Sequence, residues 1–260
     1  MTISEKKFHT PIAVSCHDES RENEAKALAK KLHLPFTQNI TPDYEYVLLF
    51  TEAHLSLQKI GSRETPLFID FLSEDAQYRL KKISKKNEIL ARALGLKKSA
   101  ASSIVDATGG LLRDSFIIAA LGFPVSIFER SPIIHALQAD ALHRARSTHL
   151  HDITQKMHLY HDDAITALPL FDKPDVIYID PMFPTRKKSA LPKKEMVHFK
   201  KIVGEDQDAA ALLTTALACA RSRVVVKRPR IIKNLTENLA PSFTLAGSSC
   251  RFDVYLLKAP

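Results

Sequence analysis

Cysteine is scarce in this chain of 260 residues. The three cysteines, Cys16, Cys219 and Cys250, are odd in number and lie far apart in the sequence. That spacing predicts neither a disulfide framework nor a zinc site. Because free thiols are typical of proteins in a reducing compartment, we expect a cytoplasmic location.

Long apolar runs are also missing. No run approaches the roughly 20 apolar residues that span a bilayer. Residues 1–10 are polar and lack the apolar stretch of a secretory signal. The sequence therefore predicts no membrane partner.

A full glycine-rich dinucleotide motif is the third absence. The segment from Asp106 to Asp114 reads Asp-Ala-Thr-Gly-Gly-Leu-Leu-Arg-Asp, so Gly109-Gly110 stands where G-x-G-x-x-G would need three spaced glycines. We predict a strand ending in Asp106, a turn that approaches a ligand closely, and a helix start with free N–H groups. The pattern favours a cofactor without a pyrophosphate, for which Asp106 and Gly109 are predicted contacts, and it counts against an NAD-dependent oxidoreductase.

Positive charge is concentrated in the middle of the chain. Residues 76–102 carry 8 Lys/Arg against 1 Asp/Glu, residues 1–75 carry 8 against 12, and residues 103–260 carry 21 against 16. A second basic cluster, residues 186–201, has seven Lys/Arg against one Glu. A charge run is usually a solvated face. The second cluster follows the loop at Asp180 directly, however, which favours a polyanionic partner.

The predicted elements divide the chain into three parts. Residues 1–75 are predicted to form a small α/β domain, residues 76–102 a basic connecting helix, and residues 103–260 an α/β domain with a mostly parallel sheet. The predicted strands are 12–16, 46–50, 67–71, 104–106, 125–129, 157–161, 176–180, 224–226 and 252–257, with a weaker one near residue 243. The predicted helices are 20–32, 75–94, 115–121, 131–146 and 206–220.

The loop after residues 176–180 combines a carboxylate, a rigid backbone and a flat ring. Asp180-Pro181-Met182-Phe183 follows an apolar run that reads as a buried strand, and ligands bind at the carboxyl edge of open α/β sheets. Asp180 can accept N–H hydrogens from an exocyclic amine, and Phe183 can stack on the base that carries it. The alternative is an ordinary strand end with a proline turn and a core phenylalanine. We predict catalytic roles for Asp180, Pro181 and Phe183.

Acidic residues also follow the two neighbouring predicted strands. Glu129 stands 23 residues after Asp106 and can accept both hydroxyls of a ribose, or else favour the dipole of the next helix. Arg130 either caps that pocket or is merely exposed. The run Asp162-Asp163-Ala164 can bind an adenine amino group, or it can cap a short helix.

Two further sets of residues bear on binding. Four histidines fall between His149 and His161, but no spacing matches a ligand pattern, so the sequence predicts no metal. Basic residues after the catalytic loop and after the predicted strand 224–226 can hold nucleic-acid phosphates, although a solvated turn is the alternative for the second group. The predicted contacts are Arg186, Lys187, Lys188, Lys193, Lys194, Lys227 and Arg228.

Together these motifs resemble the RsmJ family, whose members are S-adenosylmethionine (SAM)-dependent 16S ribosomal RNA guanine-N2 methyltransferases. The resemblance runs from about Leu67 to Leu256 and is carried by DATGGLLRD, FERSP, DVIYIDPMFPTRKKSALPKKEM, VVVKRP and RFDVY. It implies a class I methyltransferase fold, Rossmann-like with a seven-stranded and mostly parallel sheet, and a small N-terminal α/β domain. It also implies SAM as the cofactor and 16S ribosomal RNA, or the small ribosomal subunit, as the partner.

The resemblance further implies roles for particular residues. DPMFP stands where amino-methyltransferases carry an Asp/Asn-Pro-Pro-aromatic motif. The residues implied to surround the cofactor are Arg113, Asp114, Glu129, Arg130, Asp163, Ala164 and Asp180. This chain departs from the family's DATAGLGRD at Gly110 and Leu112, from its two serines at Asp163-Ala164, and from its glycine-rich turn at residues 84–86.

Two rival functions remain open at the level of sequence. One is an amino-methyltransferase that acts on DNA or on another RNA, which methylation assays on ribosomal subunits and on duplex DNA would distinguish. The other is a non-catalytic RNA-binding protein with a methyltransferase fold, which would bind no SAM in a calorimetric titration.

Overall fold

The computed structural model describes residues 10–84, 86–96, 103–182, 208–230, 239–248 and 250–257. Its strands are β1 (Ile12–Cys16), β2 (Tyr46–Phe50), β3 (Leu55–Lys59), β4 (Ile104–Asp106), β5 (Val125–Phe128), β6 (Met157–Tyr160), β7 (Val176–Ile179), β8 (Arg223–Pro229), β9 (Phe243–Ala246) and β10 (Cys250–Leu256). Its α-helices are α1 (Glu22–Leu32), α2 (Glu74–Lys82), α3 (Ile89–Ala93), α4 (Arg113–Ala120), α5 (Pro132–Arg146), α6 (His151–Thr154), α7 (Ala164–Ala167) and α8 (Ala209–Cys219). The described residues fall into two compact units.

The first unit contains residues 10–69 and Ala136–Arg144. Its three-stranded sheet has the order β1-β2-β3, with β1 parallel and β3 antiparallel to β2. The sheet is apolar and largely buried, and α1 adds three buried side chains at helical spacing: Ala25, Ala29 and Leu32. Burial of these two apolar faces against each other is the main favourable term in the folding of such a layer.

The third strand of this sheet differs from the prediction. Residues 67–71 were the predicted strand, but the ladder partner of β2 is β3, and only Leu67 forms a bridge, with Leu57. Beyond it the Asp70 side chain accepts the N–H of Leu72 at 2.9 Å, which turns the chain away. Leu67, Ile69 and Phe71 are nevertheless buried. Alternate side chains of this segment are therefore buried, but its backbone does not form the hydrogen-bonded ladder of a strand.

The second unit contains residues 70–135, 145–182 and the described residues from 208 onward. Its seven-stranded sheet has the order β6-β5-β4-β7-β8-β10-β9. All pairs from β6 to β8 are parallel, and β10 is antiparallel to both β8 and β9. This confirms the predicted seven-stranded, mostly parallel sheet.

The order of the strands fixes where a ligand can bind. The chain adds β5 and β6 on one side of β4, and then returns to add β7 on the other side. Such a reversal opens a crevice at the carboxyl ends of the two central strands. Beneath that edge the core is aliphatic, with Val105, Ile177, Ile179, Val224 and Val226 packed with the apolar face of α8. A rigid core thus carries the loops that follow β4, β5 and β7.

The predicted helix over residues 75–94 is two helices. After α2, Ile83 is extended, with φ −72° and ψ 142°. The Asn87 side chain accepts the N–H of Ser84 at 2.7 Å and donates to the carbonyl of Lys82 at 2.7 Å, so local side-chain bonds replace the helical ones. Gly95 follows α3 with φ +76°, as expected for the residue that ends a helix.

The helix predicted from Ser131-Pro132 is confirmed. It spans Pro132–Arg146, and the Ser131 hydroxyl oxygen accepts the N–H of Ile134. Within the described ranges, no helix combines the length and the apolar character needed to cross a bilayer.

Candidate active site

Polar side chains from four neighbouring strands meet at the carboxyl edge of the large sheet. Asp106 ends β4, Glu129 follows β5, Asp180 follows β7 and Lys227 lies within β8. Because these strands are parallel and adjacent, their carboxyl ends share one edge. The structure therefore brings together residues that are widely separated in the sequence.

The Gly109-Gly110 turn closes onto β5. The Gly109 N–H donates to the carbonyl of Phe128 at 2.9 Å, and the Gly110 N–H donates to Glu129 Oε2 at 3.0 Å. Gly110 has φ +54°, and Leu112, which is fully buried, has φ +59°. A leucine rarely adopts this left-handed conformation, and such strain persists only where the surroundings hold it. These contacts thus fix the turn, which follows β4, to the end of β5.

Glu129, which follows β5, is a buried carboxylate that accepts a hydrogen bond from this turn. Its side chain accepts N–H groups from Gly110 at 3.0 Å and from Ser131 at 2.8 Å, and the residue is 6% exposed. Burial raises the pKa of Glu129 to about 7, although both hydrogen bonds act to lower it. Each carboxylate oxygen can accept more than one hydrogen bond. Glu129 therefore has the chemistry to hold a pair of hydroxyl donors.

Asp106, at the end of β4, also forms hydrogen bonds that stabilise this turn. Its carboxylate accepts the Thr108 N–H at 3.0 Å and the Ser115 hydroxyl at 2.5 Å. Burial raises the pKa of Asp106 to about 6, against the lowering effect of these bonds. The first contact lies within the turn and the second joins the end of β4 to α4, so both support the turn itself; contact of Asp106 with a cofactor stays a prediction.

A network of four side chains joins α4, β7 and β8. The Tyr178 hydroxyl donates to Asp114 Oδ2 at 2.7 Å. Lys227 Nζ donates to Asp114 Oδ2 at 2.6 Å and to Asp180 Oδ2 at 2.8 Å. The Asp180 N–H also donates to Thr108 Oγ1 at 2.7 Å. The carboxylate of Asp180 is thus held on one side by an ammonium group, and its backbone is tied to the Gly-Gly turn.

Charge in this network is balanced by Lys227. Burial alone would favour the neutral acid, but the Lys227 ammonium and the Tyr178 hydroxyl hold the pKa of Asp114 below its usual value. Burial would likewise lower the pKa of Lys227, but the carboxylates of Asp114 and Asp180 raise it. Lys227 is therefore an ammonium ion that bridges two carboxylates.

The loop after β6 contains an ordinary helix cap. Asp163 Oδ1 accepts the N–H of Ile165 at 2.9 Å and caps α7, which confirms one of the two alternatives for Asp162-Asp163-Ala164. Asp162 accepts the N–H of Asp163 at 2.8 Å. Arg130 lies 3.8 Å from Asp163 and 2.5 Å from Asp208. A contact between this loop and an adenine stays a prediction.

The structure places the two predicted phosphate contacts on β8 in different surroundings. Lys227 is engaged by Asp114 and Asp180. Arg228 is 2% exposed, and its guanidinium lies 3.7 Å from the buried carboxylate of Asp253. Successive side chains of a strand point to opposite faces. The prediction of a phosphate contact is therefore wrong for Arg228, because the strand turns it into the interior beside β10.

Other predicted residues have simpler outcomes. Arg113 is exposed at the start of α4, and Pro181 is buried after β7. The remaining predictions fall on residues outside the described ranges: Phe183, Arg186, Lys187, Lys188, Lys193 and Lys194. Among the residues that are described, no three His, Cys, Asp or Glu side chains converge as metal ligands would.

The sequence pattern did not single out Tyr178 or Arg79. Tyr178 is the polar-tipped residue in an otherwise aliphatic strand, two residues before Asp180, and that placement is the one local signal it gives. The Arg79 guanidinium lies 3.8 Å from Asp114 Oδ1, a contact from α2 to α4 that no local pattern indicates.

Comparison with known proteins is consistent with this geometry. A family model described as "Putative SAM-dependent methyltransferase" matches residues 27–257. "Ribosomal RNA small subunit methyltransferase J" of Coxiella burnetii is 42% identical over 249 residues, which cover 95% of this chain and 97% of that protein. The protein of the same name from Thioalkalivibrio sulfidiphilus is 44% identical over 252 residues, with 95% and 98% covered. A crystal structure of a SAM-dependent methyltransferase from Neisseria gonorrhoeae matches with a TM-score of 0.74 at 33% identity, covering 94% of this chain and 95% of the other.

Proposed function

Because the chain belongs to the RsmJ family of SAM-dependent methyltransferases, we propose that it methylates the exocyclic N2 of a guanosine in 16S ribosomal RNA. The name of the relatives supports small-subunit ribosomal RNA as the substrate. The observation that carries the proposal is the placement of the Asp180 carboxylate at the same sheet edge as Glu129 and the Gly-Gly turn. The carboxylate proposed to accept the amine follows β7, and the carboxylate proposed to accept the ribose hydroxyls follows β5, on the other side of β4.

The described residues fit a nucleoside cofactor. Glu129 offers a buried carboxylate, already oriented by two backbone N–H groups, to the ribose hydroxyls. Asp163 and Ala164 lie at the end of β6, where an adenine would follow the ribose along the edge. When bound, SAM supplies an electrophilic methyl group on a sulfonium. We assign Asp114 and Arg113, at the start of α4, to the methionine part of the cofactor.

Asp180 is proposed to hold the target amine. Its carboxylate accepts an N–H hydrogen of N2 and so turns the nitrogen lone pair toward the methyl group; catalysis of this kind rests mainly on positioning. The amine must lose one proton once it is methylated, and a carboxylate at that nitrogen stabilises the positive charge that develops. Pro181 stiffens the loop. Phe183 lies outside the described residues, and its stacking on the base stays a prediction.

Lys227 is proposed to position Asp180, in place of the phosphate contact predicted from the sequence. Its ammonium lies between Asp114 and Asp180, at 2.6 Å and 2.8 Å. Without it two carboxylates would face each other at the edge, and one of them would tend to take up a proton. We propose that Lys227 keeps Asp180 ionised and fixes the rotamer in which it meets the amine.

The substrate must be presented with its guanine unstacked or unpaired, because an amine inside a duplex cannot reach the loop. We propose ribosomal RNA or the small ribosomal subunit in the cytoplasm as the setting of the reaction. Mapping of modified nucleosides by mass spectrometry tests this directly: 16S ribosomal RNA from cells that lack the protein should lose one N2-methylguanosine. Unchanged 16S ribosomal RNA, with a modification missing from DNA or another RNA, would show that the substrate was assigned wrongly.

The raised pKa of Glu129 gives a second, independent prediction. With a pKa of about 7, the side chain is about nine-tenths ionised at pH 8 and about one-tenth at pH 6. Only the carboxylate accepts both ribose hydroxyls. We expect affinity for 5′-methylthioadenosine, which keeps the ribose but has no titrating α-amino group, to fall about tenfold from pH 8 to pH 6 in a calorimetric titration.

Glu129→Gln is the matched control, since it removes the titration and keeps the shape. Its affinity should be weaker than that of the wild type at pH 8 and nearly independent of pH. A slope that persists in Glu129→Gln would point to Asp106, whose pKa is about 6. A wild-type affinity that is the same at pH 6 and pH 8 would remove Glu129 from the ribose site.

A further inference from the structure

The second half of α2 and the turn after it present an exposed, positively charged surface. Its side chains, which we call the α2 cationic surface, are Tyr78, Arg79, Lys81, Lys82 and Lys86. All five residues are exposed, and Tyr78 is the most exposed large hydrophobic residue on α2, at 61%. Like charges this close on a helix repel one another. Cations in the last turn of a helix also interact favourably with its dipole, so the repulsion between them is partly offset.

The anchoring of α2 uses other residues. The helix buries none of its side chains fully. Gln77 Nε2 donates to the main-chain carbonyl of Phe71 at 2.8 Å. The side-chain oxygen of Gln77, Oε1, lies 3.2 Å from Nε2 of His149. Ala76, Leu80 and Ile83 supply the half-buried face. Lys81, Lys82 and Lys86 lie apart from these contacts, so their removal is expected to leave the helix in place.

One member of the surface reaches the active site. The Arg79 guanidinium lies 3.6 Å from Glu88 and 3.8 Å from Asp114. Asp114 in turn shares the Lys227 ammonium with Asp180. A chain of charged contacts therefore leads from the loop that holds the amine to the α2 cationic surface.

The α2 cationic surface also contains an aromatic ring, that of Tyr78. Lys82 Nζ lies 4.1 Å from the centroid of the Tyr78 ring, and it also donates to the Tyr78 hydroxyl. An aromatic ring amid cations is the combination with which proteins bind single-stranded nucleic acid, because the ring stacks on a base while the cations follow the phosphates. An acidic polypeptide would use the charges but gains nothing specific from the ring.

We infer that the α2 cationic surface binds the single-stranded RNA that flanks the target nucleotide. Arg79 contacts the phosphate nearest the amine, Lys81, Lys82 and Lys86 contact the phosphates beyond it, and Tyr78 stacks on an unpaired base. The inference rests on the proposed function for the identity of the RNA. It adds a binding surface separate from the predicted basic cluster at residues 186–201.

The charge part of the inference is tested with the triple variant Lys81→Ala/Lys82→Ala/Lys86→Ala. Binding of a fluorescent 16S ribosomal RNA fragment is measured by anisotropy across a salt series, in the full chain. Loss of three phosphate contacts should weaken binding roughly tenfold or more at low salt and reduce the slope of log K against log salt by about 2. The control triple Lys30→Ala/Lys31→Ala/Lys173→Ala removes the same charge from exposed positions elsewhere and should change the slope much less.

The ring is tested with Tyr78→Ala against Tyr78→Phe. Loss of stacking should weaken RNA binding about tenfold in Tyr78→Ala, whereas Tyr78→Phe keeps the ring and should bind like the wild type. Binding of polyglutamate serves as the comparison for charge alone. If polyglutamate binds as tightly as RNA and Tyr78→Ala affects neither, the partner is not a nucleic acid at this surface and the inference fails.

The outcomes separate this inference from the proposed function. A wild-type chain that binds the RNA through this surface but yields no N2-methylguanosine would overturn the proposed reaction and leave the surface supported. A triple variant that binds and methylates RNA like the wild type would overturn the surface and leave the reaction supported. SAM affinity, measured by calorimetry, should be unchanged in every α2 variant.

Discussion

Replacing Asp180 by alanine is expected to lower the rate of methyl transfer about 10³-fold while the protein stays folded. The carboxylate is the group proposed to hold the N2 amine, and its backbone N–H would still donate to Thr108. Lys227 would keep its bond to Asp114, so no buried cation is left without a partner. Single-turnover transfer of labelled methyl from SAM to ribosomal RNA measures the effect, and a thermal melt verifies the fold.

Asp180→Asn is the informative companion. An amide oxygen can still accept a hydrogen from the amine, but without the charge that makes such a bond stronger by about 1 to 2 kcal/mol. We expect roughly a tenfold loss, far smaller than that of Asp180→Ala. SAM affinity should remain within a factor of a few in both variants if the carboxylate serves the amine. Near-normal turnover in Asp180→Ala would refute the assigned role.

Local patterns in the sequence predicted most of the strands of the large sheet. Apolar runs that end in polar residues mark β4, β5 and β7 because buried parallel strands are apolar along their whole length. Ser131-Pro132 predicted the start of α5, because a hydroxyl cap followed by proline at the first helical position favours the beginning of a helix. The carboxyl ends of adjacent parallel strands share an edge, and so Asp106, Glu129 and Asp180 could be placed together.

Where a local side-chain bond competes with the main chain, the pattern was misleading. The amphipathic spacing over residues 75–94 continues through the break at Ile83, because Asn87 ends the helix by bonding to Ser84 and Lys82 and not by changing the periodicity. Residues 67–71 are mostly apolar, as a buried strand would be, yet only Leu67 bridges another strand. Periodicity reports which side chains are buried, and it does not report which hydrogen bonds the backbone makes.

Contacts between side chains that are far apart in the sequence cannot be predicted from the pattern of neighbouring residues. Lys227 lies 113 residues from Asp114 and 47 from Asp180, and Tyr178 lies 64 residues from Asp114. Lys-Arg-Pro-Arg reads as a solvated basic turn until the strand is known to continue through Pro229. Alternation along β8 then sends Lys227 to the edge and Arg228 into the interior. The continuation of the strand by three residues, from 227 to 229, thus changed the interpretation of both cations.

Lys227→Met is expected to slow methyl transfer about 30-fold or more at pH 7 and to make the rate depend on pH. Methionine keeps the length of the side chain and removes the charge that two carboxylates share. Loss of the ammonium raises the pKa of Asp114, which that ammonium now holds down, so the facing pair takes up a proton at a higher pH. A protonated pair cannot hold the amine as a carboxylate does. With SAM kept saturating, so that the titration of Glu129 does not limit cofactor binding, kcat should therefore rise with pH across pH 5 to 8 in the variant and stay nearly flat in the wild type.

Lys227→Arg keeps a cation between the two carboxylates and should retain a flat profile, with a rate within about tenfold of the wild type. A phosphate contact predicts a different set of results. In that case Lys227→Met would raise the KM for RNA, reduce the salt slope by about 1, and leave both kcat and its pH profile unchanged. Measuring kcat and KM separately over this pH range therefore decides whether Lys227 acts on Asp180 or on the RNA backbone.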